Sequence, residues 1–151
     1  MATPRLSKSL LRSACLRKQD ILLTDFEQEI NRLTEEITRG KEMPSQEQEG
    51  RTESNELLVR LEHEVIFAKK EQIILESLDV EREFTQVEPG AVVVTEQQVF
   101  YISSSMEKIE VDGVEFFGIS TQAPIYAAMK GRQSGDSFTY SGVTYRMLEV
   151  Y

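Results

Sequence analysis

Few side chains in this sequence of 151 residues have the type and the company that chemistry requires. Cysteine and histidine occur once each, as Cys15 and His63. A single cysteine excludes an internal disulfide and a cysteine-built metal cluster, and it agrees with a reducing compartment. His63 lies on a charged helical stretch and reads as a solvated side chain rather than a ligand or base. There is no glycine-rich phosphate loop and no nucleophile beside a base, so the chain is not expected to be an enzyme with its own active site. What remains is a group of carboxylates, Glu49, Glu53 and Glu56, around a polar interruption in the first half of the chain. Glu53 and Glu56, three apart, share one helical face, and Glu49 stands four before Glu53. By themselves they favour the positive end of a helix that Thr52 caps, which is sufficient to explain Glu53 and Glu56.

Two helices must position them. Leu23, Phe26, Ile30, Leu33 and Ile37 alternate three and four apart, the seam of a helix that packs on another helix. Leu58, Leu61, Val65, Ala68, Gln72 and Leu75 repeat that rhythm, and Ile66, Ile73 and Ile74 widen the second apolar face. Residues 40–52, GKEMPSQEQEGRT, separate the seams with two Gly, one Pro and Met43 as the sole apolar residue. A connection longer than the usual ~2–8 residues between helices is either functional or without fixed structure. Residues 19–80 are therefore predicted to form an antiparallel hairpin with a polar tip loop over 40–52, in a monomer. Each arm is expected to be roughly 30–40 Å long. Pairing of the arms with another chain is the alternative.

After Leu78 the heptad rhythm is lost. Residues 81–90 are charged, end in Pro89-Gly90 and read as a linker. Over 91–151, Ala91–Thr95 and Val99–Ser103 read as strands, Asp112-Gly113 joins a hairpin, and Ser141-Gly142 joins Ser137–Tyr140 to Val143–Val150. The stretch Ile119–Asp136, ISTQAPIYAAMKGRQSGD, holds a strand end, a helix opened by Pro124 and a turn. Gly131 is placed to end that helix, and Gly135-Asp136 to lead into the next strand. The predicted class is α+β, a helical hairpin followed by a small antiparallel sheet with one helix, Pro124–Lys130, laid across it.

Charge narrows the partners. The net charge is −9, distributed unevenly. Residues 1–18 carry five bases and no acid, residues 19–86 hold 18 acids against 8 bases, and residues 87–151 hold 8 against 4. Residues 1–18 read as a basic N-terminal tail, although their composition is also that of an organellar transit peptide. An acidic surface is a poor direct ligand for nucleic acid, so a protein partner is expected. No apolar run is long enough to span a membrane.

The stretch from Ile119 onward also resembles the C-terminal domain of the GreA/GreB family of bacterial transcription elongation (transcript cleavage) factors. Ile119-Ser120, Ala123-Pro124-Ile125, Ala128-Met129, Gly131-Arg132 and Gly135-Asp136 match that family's pattern in order and spacing, and YRMLEV at the C-terminus looks like its closing strand. The resemblance covers residues 19–151 and is close after about Val92. It implies an FKBP-like C-terminal domain, a cytoplasmic protein, and RNA polymerase as partner, with DNA and RNA met only within the transcription complex. It further implies docking through Gln122, Ala123, Pro124 and Ile125, and a hairpin that enters the polymerase's secondary channel. There its tip carboxylates, here Glu53, Glu56 or Glu49, would share the polymerase's Mg²⁺; no cofactor of the chain's own is implied. The family's tip pattern, Gly-Asp-x-x-Glu-Asn-x-Glu, aligns on Gly50 and Asn55, which puts Arg51 at its Asp and Ser54 at its Glu. Stimulated transcript cleavage therefore competes with a regulator that occupies the channel without it, and with an adaptor that dimerises through the heptads. Prolyl isomerisation has only the implied fold behind it, and fold does not confer function.

Overall fold

The computed structural model describes residues 5–40 and 48–151, with side chains given for 5–39 and 53–151. Helix α1 spans Lys8–Gly40 and α2 spans Gln48–Ser77; strands β1 (Val92–Thr95), β2 (Val99–Ser103), β3 (Met106–Val111) and β4 (Val114–Ser120) follow. Helix α3 (Pro124–Met129) and strands β5 (Ser137–Tyr140) and β6 (Val143–Val150) complete the chain. The chain divides into two compact units, residues 18–70 and residues 1–17 with 71–151.

In the unit 18–70 the two helices form the predicted hairpin. Leu23 and Leu33 are buried, Phe26, Ile30 and Ile37 are half-buried, and the residues between them are exposed or, at Glu29, half-buried. On the facing arm Ala68 is buried, with Leu58, Leu61 and Val65 half-buried. Gln19 Nε2, near the start of one arm, donates to the carbonyl of Ala68, near the end of the other, at 2.8 Å. That pairing makes the arms antiparallel. Ile66, Ile73 and Ile74, expected to widen the apolar face of the second helix, are all exposed and do not add to its buried side. Residues 41–47 of the expected tip loop lie outside the described residues. The second helix starts at Gln48 rather than at Thr52.

The unit built from 1–17 and 71–151 is a sheet covered on both faces. Its six strands run in the order β3-β4-β2-β1-β6-β5. The fold class is the predicted α+β, but the sheet is mixed rather than antiparallel, because β2 pairs with β4 in parallel register, Phe100 with Phe117 through Ser103 with Ser120. After β2 the chain passes outward to form the edge strand β3, and the β3–β4 hairpin then returns β4 to β2's side in β2's own direction. The two hairpin turns appear where expected, with positive φ at Asp112 and Gly113 and at Ser141 and Gly142.

Every residue of β1 and β2 is buried. Alternate side chains point to opposite faces, so two cores form. Val92, Val94, Tyr101 and Phe116 face a layer made by Leu6, Leu11, Ala14, Cys15, Leu75 and Leu78. Val93, Phe100, Ile102 and Met147 face Phe84, Val87, Tyr126 and Met129. Two expectations are corrected by this arrangement. Residues 1–18 are not a basic tail throughout: α1 starts at Lys8, and Leu11, Ala14 and Cys15, at spacing three and one, put an apolar stripe on the sheet. Nor is 81–90 a bare linker, since Phe84 and Val87 are buried and Val87 N–H donates to the carbonyl of Arg132 at 2.9 Å.

Three of the five bases of that first segment, Arg5, Lys8 and Arg12, are used structurally. Arg5 Nε donates to Glu149 at 2.5 Å and Arg5 Nη1 to Glu83 at 3.1 Å. Lys8 Nζ donates to the carbonyl of Arg82, and Arg12 Nη1 to that of Leu78 at 3.0 Å, just past the end of α2. Burial holds the Lys8 ammonium below its usual range, with Glu83 opposing the shift.

Gly118 in β4 leaves no room for a side chain: a Cβ there would stand 2.3 Å from the carbonyl oxygen of Ser104 and 2.8 Å from Met106 Cβ. Gly118→Ala is expected to cost at least about 1–3 kcal/mol, read as a lower denaturation midpoint in urea with an unchanged slope. Glu71, on α2, is a buried carboxylate whose Oε2 has no hydrogen-bond partner among the described residues. Burial raises its pKa, and the Ser105 backbone N–H opposes that shift. A carboxyl whose folded pKa is raised stabilises the protein at low pH and loses that contribution as pH rises through the folded value. Glu71→Gln should therefore raise stability by about 1 kcal/mol at neutral pH and by progressively less on acidification. A pH-independent difference in melting temperature would contradict this assignment.

Candidate functional site

The residues singled out from the sequence fall in two places. Gln122, Ala123, Pro124 and Ile125 form the step from β4 into α3. β4 ends at Ser120, whose buried hydroxyl oxygen accepts from Gln122 N–H at 3.1 Å, while its carbonyl accepts from Ala123 N–H at 3.0 Å. Ala123 is the N-cap, in extended conformation, and has no side chain with which to cap. Pro124 at the first helical turn costs the helix nothing, because an N–H there has no partner within it. Tyr126 and Met129 anchor α3 to the sheet. The helix ends where expected: Gly131 has φ +76°, and its N–H reaches the carbonyl of Val87 at 3.0 Å. The outcome is a short, rigid, four-residue step with Gln122 and Pro124 exposed and Ala123 and Ile125 half-buried.

Beside this step is an open cleft of about 530 Å³, lined among others by Gln86, Glu88, Gln122, Tyr126 and Lys130. Of the four residues expected to dock a partner, Gln122 faces this cleft and the other three do not line it. Tyr126 is buried, and burial, reinforced by the Glu88 carboxylate, pushes its hydroxyl above the usual range. Tyr126, Glu88 and Lys130 were not legible as cleft residues in the sequence. Glu88 sits in a stretch that reads as a linker, and Tyr126 reads as helix core. The signal that existed was Val87, an apolar residue three after Phe84 in an otherwise charged segment.

The second place is the start of α2. Counting from Gln48, Glu53 is the sixth residue of the helix and Glu56 the ninth. Both are exposed, and neither makes an ion pair among the described residues. The field of a helix terminus fades within its first turn, so a start at Gln48 weakens the dipole as the reason for these two carboxylates. The Glu49 side chain lies outside the described residues. Among the described residues no three His, Cys, Asp or Glu side chains converge to hold a metal ion. Glu53 and Glu56 fit Mg²⁺ in one way: as one or two added ligands to an ion held by other groups.

No protein-family model and no curated protein matches this chain. Among solved structures it is similar to that of the transcription factor Gfh1, at 15% identity over 91% of this chain and 94% of that one, with a TM-score of 0.38. It is similar also to GreA factor homolog 1 (Gfh1) of Thermus thermophilus, at 20% identity over 88% and 94% of the two chains, TM-score 0.35. For Gfh1 of Thermus aquaticus the values are 19% identity, 87%, 92% and 0.32. At such identities and scores, the functional reading rests on the chain's own residues.

The Ser120 hydroxyl is the polar contact that holds the Gln122 amide at the step. Ser120→Ala should cost about 1 kcal/mol and speed hydrogen exchange at the Gln122 amide, with exchange in β1 and β2 unchanged at fixed conditions.

Proposed function

We propose that this chain is a Gre-like elongation factor. It docks on RNA polymerase through the Gln122–Ile125 step, enters the secondary channel with its helical hairpin and modulates backtracked complexes. The observation that carries the reading is the run Ile119–Asp136: its resemblance to the Gre pattern coincides with a strand end, a proline-opened helix and a glycine with positive φ, each at the position where the pattern calls for one. A hairpin of two long helices preceding the sheet adds support, because a rod of that kind can deliver side chains to a recessed site. In this reading the chain is an accessory factor, without an active site of its own. Phosphodiester hydrolysis by two metals needs carboxylate oxygens to hold the second ion and a water to attack. Glu53 and Glu56 are the carboxylates this chain would lend to an Mg²⁺ shared with the polymerase.

A second reading has a specific observation in its favour. Arg51 and Ser54 occupy the positions of the family's Asp and Glu, and a cation at the tip repels a second metal ion. In that version the chain occupies the channel and withholds catalytic help.

Dinucleotide release from a backtracked complex of the cognate polymerase, titrated with Mg²⁺, separates the two. If Glu53 and Glu56 are ligands, Glu53→Gln or Glu56→Gln should lose most of the stimulation while polymerase binding persists. If the chain only occupies the channel, the wild type releases nothing and Arg51→Asp combined with Ser54→Glu gains activity. Charged, bulky replacements at Gln122 and Ala123, with Pro124 kept, should weaken polymerase binding in either case and leave the thermal transition nearly unchanged. Binding that survives them would remove the docking step from the proposal.

A further inference from the structure

Helix α2 carries two apolar stripes, and α1 meets one of them. The second stripe, Val59, Ile66 and Ile73 with Phe67 beside it, recurs every seven residues, one position round the helix from the seam. These residues are exposed, by 52%, 52%, 65% and 55% respectively. Single exposed apolar residues are ordinary on a protein surface, whereas Val59, Ile66, Phe67 and Ile73 gather along one side of α2, with Glu62 and Lys70 set between them.

The charges at the edge of the stripe indicate what covers it. Glu62 and Lys70 stand four residues before and four after Ile66. Being eight residues apart, roughly 12 Å along the axis, they do not reach each other. Every residue three or four positions from either one is apolar, so neither finds an opposite charge on its own helix. Both are exposed, and neither makes an ion pair among the described residues. A second α2 laid antiparallel, related by a two-fold axis at Ile66, resolves all of this together. Ile66 then meets Ile66, Val59 meets Ile73, and Glu62 meets Lys70 on both sides of the axis, as a self-complementary interface requires.

We propose that this face of α2 binds a second copy of the chain, antiparallel and centred on Ile66. The inference stands on α2 alone and is independent of the RNA polymerase reading. The test is the mass of the full chain in solution, by light scattering over a rising concentration series at low ionic strength, with circular dichroism as the check on folding. The wild type should move toward twice its monomer mass. Glu62→Lys or Lys70→Glu alone should weaken the dimer about tenfold or more, and the double exchange should restore it, because opposite charges then face each other again. Mild oxidation should cross-link Ile66→Cys to itself and leave Val59→Cys uncross-linked, whereas Val59→Cys combined with Ile73→Cys should cross-link. A chain that stays monomeric at every concentration overturns the proposal, as does a dimer that tolerates both single charge changes, or one in which Val59→Cys alone cross-links. A monomeric wild type whose Ile66→Glu variant loses polymerase affinity would assign the stripe to the polymerase and overturn it equally.

Discussion

The sheet's two central strands are apolar on both faces, and that is the constraint from which most of the architecture follows. β1 and β2 read VVVT and VFYIS, and no residue of either is exposed. Burying each large apolar side chain contributes about 1.5–3 kcal/mol, but only if something covers it. One face is covered by the start of α1 and the end of α2, the other by α3 and the segment carrying Phe84 and Val87. Segments that look dispensable by composition are thereby drawn into the core. Cys15, in a stretch rich in arginine and serine, is fully buried.

Covering a sheet with charged segments raises a second problem, which the same residues resolve. The backbone between α2 and β1 presents carbonyl groups that no helix or strand satisfies. Lys8 and Arg12 donate to two of them, at Arg82 and Leu78, and Arg5 joins Glu83 to Glu149. Tyr151 closes the set, its hydroxyl accepting from Leu6 N–H at 2.7 Å while Arg5 lies over its ring. Hydrogen bonds from charged donors to buried or half-buried carbonyls contribute more than neutral ones, and an unmatched carbonyl there would cost about 1–3 kcal/mol. Three of the five basic residues near the N-terminus are in this way engaged within the fold.

The hairpin obeys a different economy. Among the described residues its buried apolar side chains are Leu23, Leu33 and Ala68, and the buried Gln19 donates to the opposite arm's backbone. Arg32 bridges Glu29 and Glu36 along the exposed side of α1, the kind of pair that supports an isolated helix by a few tenths of a kcal/mol. What this unit leaves unmatched is as informative as what it satisfies. Glu53 and Glu56 are exposed and make no ion pair among the described residues, and Val59 and Ile66 are exposed as well.

Periodicity along the chain was enough to establish the hairpin, its antiparallel sense, the strands and the turns at Asp112-Gly113 and Ser141-Gly142, because each rests on contacts or dihedral preferences within a few residues. The β4–α3 step was legible for the same reason: proline, a small residue and two glycines state its backbone locally. Three features depended on long-range packing and were not readable in advance. The parallel pairing of β2 with β4 depends on which strand fills the space beside β2, a choice decided by Gly118 lying against the backbone of Ser104 and by the burial of Phe116. The incorporation of residues 8–17 and of 84–87 depends on a sheet face that exists only after the strands have assembled. The cleft beside Gln122 takes Glu88 from one side of the sheet sequence and Tyr126 and Lys130 from the other, and no spacing rule joins residues some forty positions apart. Local preference is written in the sequence at the length of a turn or a helix; which surfaces then find one another is decided by the burial that the finished sheet demands.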